Sequence, residues 1–161
     1  MKILNSEDLL LLIGHSVSIH LLFRQVVCWS TGGMGDSCRA DDLQQRLIAF
    51  GAAIISLSTR LPRTPQGQHV SRQMLRSGTS TAANYGEARG AESRSDFVHK
   101  LRVVLKELNE TGIWLQMIAE SSLLPRRQLI AIVTENQELS RIIAASVRTA
   151  RAANNKRMLT L

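Results

Sequence analysis

From Asp41 onward the chain alternates apolar and polar positions with a helical period. Leu43, Leu47, Phe50, Ile54, Leu57 and Leu61 fall at steps of four and three, which draws a heptad stripe along one face of a helix. Asp41 and Asp42 stand at the start of that stripe, where the helix dipole favours acid. Leu61-Pro62 ends it, because a residue before proline disfavours the α region. Pro65 to Gly67 opens a second helix that runs to about Gly90 and packs through Val70, Met74 and Leu75. The run of small residues from Ser77 to Ala83 lets a neighbouring backbone approach closely, at a propensity cost of about 1 kcal/mol for Gly78. Composition alone would allow a loop there. A helix is preferred because it brings Arg76, Ser80, Asn84 and Glu87 onto one face.

The third helix carries the strongest period, with Phe97, Leu101, Val104, Leu108, Thr111, Leu115 and Ile118 in unbroken four-three steps. Ser93 or Ser95 caps it, and it ends near Ser121-Ser122. Asp96 with Lys100, and Lys106 with Glu110, are spaced as stabilising helical ion pairs. Pro125 takes the first position of a fourth helix, whose stripe is Leu129, Ile132, Val133, Leu139, Ile143 and Val147. Asn136 falls within this stripe, where a polar group fixes register at some cost in stability. The pattern fades through Arg151 to Ala153. Four such helices joined by short loops predict an all-α fold, an antiparallel up-and-down four-helix bundle over 39–153, followed by a basic tail at 154–161.

Residues 1–38 follow a different pattern. Two short apolar runs are interrupted by His15, Ser16, Ser18, His20 and Arg24, so neither approaches the roughly 20 residues that span a bilayer. Glu7 and Asp8 occupy the place of the positive region of a signal peptide. No membrane association and a cytoplasmic location are therefore expected. Ser30 to Ser37 reads as a flexible linker. Met34 lies inside it, and the change of pattern there suggests that the native protein starts at Met34. The competing expectation for this segment is an extra amphipathic helix near residues 7–28.

Composition adds a charge. The 161 residues carry 20 basic and 13 acidic side chains, a net charge of +7, and sixteen of the basic residues are arginine. Leaving out residues 1–38 leaves 18 basic and 10 acidic residues, so the charge belongs to the bundle. An anionic partner is implied, and arginine suits phosphate. Arg126, Arg127, Arg141, Arg148, Arg151, Lys156 and Arg157, clustered along the fourth helix and its tail, are the candidate nucleic-acid contacts. Aromatic residues are scarce at 4%, which argues against a module that reads bases by ring stacking. Cys28 and Cys38 form no CxxC and have no histidine cluster, so neither a zinc site nor a disulfide framework is indicated. No phosphate-binding glycine loop, H-E-x-x-H or G-x-S-x-G is present. Glu107 and Glu110 share a face, but the Glu-x-x-His pattern of a di-metal bundle is missing, since Asp96 and Gln66 precede His99 and His69 by three. A non-enzymatic protein without cofactor or metal is expected. Arg76, Asn84, Glu87, Glu107 and Glu110 are read as a buried structural polar network, with Arg76 paired to a carboxylate of the third helix.

One further signal is a spread motif: Gln73-Met74-Leu75-Arg76-Ser77-Gly78-Thr79-Ser80, then Ala83-Asn84 and Glu87-Ala88, then Ser95-Asp96-Phe97, Glu107, Glu110-Thr111 and Trp114-Leu115. Together with Phe50 and Leu61-Pro62, it resembles the bacterial four-helix-bundle family encoded in intervening sequences of 23S rRNA genes. The resemblance spans roughly residues 40–150. Thr81 and Ala82 depart from it mildly, an aliphatic residue being more usual at one of these positions. The family is similar to the accessory variability determinant of diversity-generating retroelements, a basic homopentamer that associates with a reverse transcriptase and RNA. The resemblance therefore implies the bundle, a homo-oligomer and specifically a pentamer, and either RNA or a protein such as a reverse transcriptase as partner. The alternative to RNA binding is an interaction scaffold or accessory subunit that meets an acidic protein.

Overall fold

The computed structural model describes residues 36–158, with side chains for 39–152. The expected linker before residue 36 and the Met34 start lie outside the described residues. Four helices follow in order: α1 (Asp36–Ser58), α2 (Pro65–Arg89), α3 (Arg94–Glu120) and α4 (Ile130–Met158). A single 3-10 turn, Arg126–Gln128, precedes α4. No strand occurs among the described residues.

The boundaries follow from local chemistry. Helix α1 starts at Asp36, inside the stretch expected to be linker, and stops at Ser58, three residues before the expected end. Leu61 still reaches the core at 6% exposure, because a turn after Ser58 folds it back under the helix end. Thr64 caps α2 by accepting the Gly67 N–H, and Pro65 fills the first turn, where its missing N–H costs nothing. A Cβ on Gly67 would come within 2.1 Å of the Pro62 carbonyl oxygen, so only glycine lets the loop close on this first turn. Ser93, rather than Ser95, caps α3 by accepting the Asp96 N–H.

Helix α3 ends in a paired return. Ser122 sits in the left-handed region at φ 53°, and the N–H groups of Leu123 and Ser122 donate back to the carbonyls of Ile118 and Ala119. Pro125 does not open the fourth helix. It is extended at ψ 132° and leads into the 3-10 turn, while Leu124 and Leu129 on either side are buried. At the other end α4 continues through the expected tail to Met158.

Contacts between successive helices run in opposite directions along the chain. Ser71 meets Ser58, Gly78 meets Ile54 and Arg89 meets Asp41 across α1 and α2. Arg76 meets Glu110 and Lys100 meets Glu87 across α2 and α3. Asn136 meets Leu108, and Arg126 meets Glu120, across α3 and the segment leading into α4. The helices thus form an antiparallel all-α bundle. The heptad stripes supply its core: Leu47, Phe50, Ile54, Leu101, Val104, Leu108, Leu115, Ile118, Leu139 and Ile143 are at most 2% exposed.

Small residues set the approach of α1 to α2. A Cβ on Gly78 would stand 2.8 Å and 2.9 Å from the γ-carbons of Ile54, and one on Gly51 would stand 3.8 Å from the Thr79 Cα. Larger side chains would hold the two backbones apart. On the closing side of the bundle, Arg46 of α1 forks onto Glu135 at 3.0 and 2.9 Å and reaches Glu138 at 3.0 Å. These charge-assisted bonds, chiefly the one to Glu135, raise the Arg46 pKa against the opposing effect of burial.

Candidate nucleic-acid interface

The polar residues shared by α2 and α3 form a ladder between the two helices. The hydroxyls of Ser77 and Thr111 meet at 2.9 Å in the core. Ser80 donates to Glu107 at 3.0 Å, and Asn84 donates back to the Ser80 carbonyl at 2.9 Å. Arg76 bonds Glu110 at 2.6 Å, and the Trp114 indole N–H donates to the same Glu110 oxygen at 3.4 Å. Trp114 and His69 in turn meet edge to face, with ring centroids 6.0 Å apart. Glu87 lies 3.9 Å from Lys100, which also stands 3.7 Å from Asp96.

The expected pairing of Arg76 with α3 is present, but the expected burial is not. The Arg76 side chain is 65% exposed and that of Glu87 is 64% exposed. Their positions on the helix face put them at the rim, where long side chains reach along the surface and keep their charge in water. The expected Lys106–Glu110 pair is not among the ion pairs of the described residues, because Glu110 turns to Arg76 across the helix interface and to Trp114 one turn along its own helix. The ladder pins α2 against α3, and its four carboxylates outnumber Arg76 and Lys100, so it has no surplus cation to offer an anionic ligand.

The candidate contact residues divide into three kinds. Arg126 and Arg127 are exposed in the 3-10 turn that leads into α4 and not in its first turn. Arg126 is held by Glu120 at 2.9 Å. Arg141, Arg148 and Arg151 are exposed along α4, and like Arg127 they have no carboxylate partner among the described residues. Arg141 donates through Nε to the Gln137 carbonyl, which leaves its terminal N–H groups outward. Lys156 and Arg157 lie on the last turns of α4, in the part whose side chains are not described.

Helical phase extends this basic line to the neighbouring helix. Arg102 and Lys106 are exposed on α3, about two turns and one turn before Asn109 on the same side. The register set by Asn136 and Leu108 brings Arg102 to the level of Arg141. Ion pairs among the described residues engage five cations and seven carboxylates. Pairing therefore uses up acid faster than base and leaves the surplus positive charge on the exposed surface.

Sequence reasoning missed the bridge from Arg46 to Glu135 and Glu138, because nothing local relates α1 to α4. It also missed a groove of about 870 Å³ between α3 and α4, lined among others by Leu108, Asn109, Gly112, Ile113, Asn136 and Arg141. Gly112 was the available signal, a glycine in the middle of the most regular helix of the chain. Among the described residues, no group of three or more His, Cys, Asp or Glu side chains could hold a metal ion. No helix among them is long and apolar enough to cross a membrane.

The sequence model of the 23S rRNA-intervening sequence protein family matches residues 41–145. A crystal structure of a protein of unknown function from the S23 ribosomal protein family of Bacteroides thetaiotaomicron is similar in fold, with a TM-score of 0.64 and 32% sequence identity over 68% of this chain and 98% of that one. No curated protein matches the chain.

Proposed function

The chain belongs to the 23S rRNA-intervening sequence protein family, and on that premise we propose that it is a non-enzymatic, self-associating bundle of the cytoplasm that binds RNA through phosphate contacts along α4. The observation that carries this reading is the exposed line of Arg141, Arg148 and Arg151, joined by Arg102 of α3 and lacking carboxylate partners among the described residues. Arginine presents a planar fork that matches a phosphate.

Self-association rests on apolar surface. Ile48 and Ile55 are 47% and 52% exposed at heptad spacing on α1, and Met117 is 48% exposed on α3. Covering them in a homo-oligomer of five, as the resemblance to the retroelement accessory protein implies, would multiply the basic line by symmetry. Light scattering tests the assembly, and a pure monomer would remove it. Filter binding with unrelated RNAs over a salt series tests the contact. Phosphate binding gives affinity that falls linearly with salt on logarithmic axes and shows little sequence preference. Absence of retention at low salt would leave the basic surface to an acidic protein partner, such as a reverse transcriptase.

A further inference from the structure

The α3–α4 seam contains a polar side chain that the fold does not satisfy. Asn136 is 4% exposed in the middle of the α4 core stripe. Its Nδ2 donates to the Leu108 carbonyl at 2.9 Å, while its Oδ1 is the one buried side-chain polar atom among the described residues with no partner. Gly112 faces it. A Cβ there would stand 3.4 Å from Nδ2 and 3.6 Å from Oδ1, so the glycine leaves a notch one methyl deep over the buried amide, in the wall of the groove. A buried acceptor without a donor is held at a desolvation cost, and it is the kind of atom that a ligand N–H satisfies.

The surroundings narrow the chemistry of that ligand. Leu108, Leu115 and Ile113 give the groove an apolar wall, Asn109 and Gln137 place amides along its rim, and Arg141 closes one end. An amphipathic helix of a partner protein has no backbone N–H free for Oδ1, since those are used within the helix, and would need a polar side chain on its apolar face to reach it. A nucleobase has flat apolar faces and carries N–H groups on its edge. Side-chain amides are among the groups that read base edges. The adjoining Arg141 and Arg102 stand where flanking phosphates would run.

We infer that the notch between Gly112 and Asn136 takes the edge of one base of single-stranded RNA, with a base N–H donating to Asn136 Oδ1. This rests on the RNA-binding reading given above and adds to it a base-dependent site within an otherwise sequence-tolerant surface.

The test is fluorescence anisotropy of the full chain with a short labelled oligoadenylate, compared with an abasic strand of equal phosphate number at the same salt. The wild type is expected to bind the base-bearing strand about tenfold more tightly. Asn136→Leu and Gly112→Ala, the first removing the acceptor and the second closing the notch, are each expected to bring oligoadenylate down to the abasic level and to leave abasic affinity unchanged. Gly112→Ala keeps the test valid if Asn136→Leu perturbs packing. Equal wild-type affinity for the two strands, or a base advantage that survives both variants, overturns the inference and leaves phosphate binding standing. Failure of both strands to bind overturns the RNA reading itself and the inference with it.

Discussion

The α1–α2 and α3–α4 seams both bury apolar stripes along facing helices, yet one is closed and the other open. At the first, Gly78 and Gly51 let the backbones come together, and Ile54 fills the space a side chain would have taken. At the second, Asn136 and Gly112 face each other, and the space left beside them widens into the groove. Glycine serves opposite ends in the two places. It brings two helices into contact in one and withholds a contact in the other. What decides between them is the residue opposite, a branched hydrocarbon that packs or an amide that does not.

The comparison can be broken most forcefully at its closed side. Gly78→Leu drives a side chain into Ile54 and is expected to cost about 3 kcal/mol of stability, read from the midpoint of denaturant unfolding. Arg46→Ala removes the clasp from α1 to α4 and is expected to cost about 1 kcal/mol by the same measurement, reduced from the value of a buried pair because the guanidinium is 36% exposed. At the open side the sign reverses. Gly112→Ala is expected to raise stability by up to ~1 kcal/mol, since its methyl meets only the Asn136 amide at contact distance and the helix gains propensity. A loss there would show that the notch is a packed joint.

Two smaller effects sharpen the picture. Arg76→Ala is expected to change stability by less than about 1 kcal/mol, because its pair with Glu110 is largely solvent-exposed. A collapse of the fold in thermal melts would restore the buried-network reading. Tyr85, the only tyrosine, is buried on α2, and that burial raises its pKa above the usual 10.0. Its folded-state pKa lies above the unfolded one, so its contribution is intact below pH 10.0 and is lost as pH climbs from there through the folded value. Phenolate absorbance of the native protein should therefore lag behind that of the denatured chain in an alkaline titration.

Most of the fold was legible in the order of residues. The three-four steps of Leu47 to Leu61 and Leu101 to Ile118 translate directly into buried stripes, because burial is what that period encodes. The small residues around Gly78 announced a close approach, although not which side chain would come near. The helix ends were less legible. Pro125 is equally at home before a 3-10 turn and at the head of an α-helix, and the buried anchors Leu124 and Leu129 made the choice. Arg76 was misjudged because its place beside a core stripe does not reveal how far a long side chain runs to the rim. The groove was legible only as Gly112, an unexplained glycine in mid-helix. It arises from two residues, Gly112 and Asn136, that meet only once α3 and α4 are in register.

The basic line of α4 carries the proposed RNA contact, and salt titration of RNA binding measures it directly. Each phosphate contact to a single strand contributes about 0.7 to the slope of log affinity against log salt. Replacing Arg141, Arg148 and Arg151 together by alanine is expected to make that slope shallower by about 2 and to weaken binding to all RNAs alike. A slope and affinity unchanged by the triple replacement, in a protein that still folds, would contradict the claim that this face of α4 holds the phosphates.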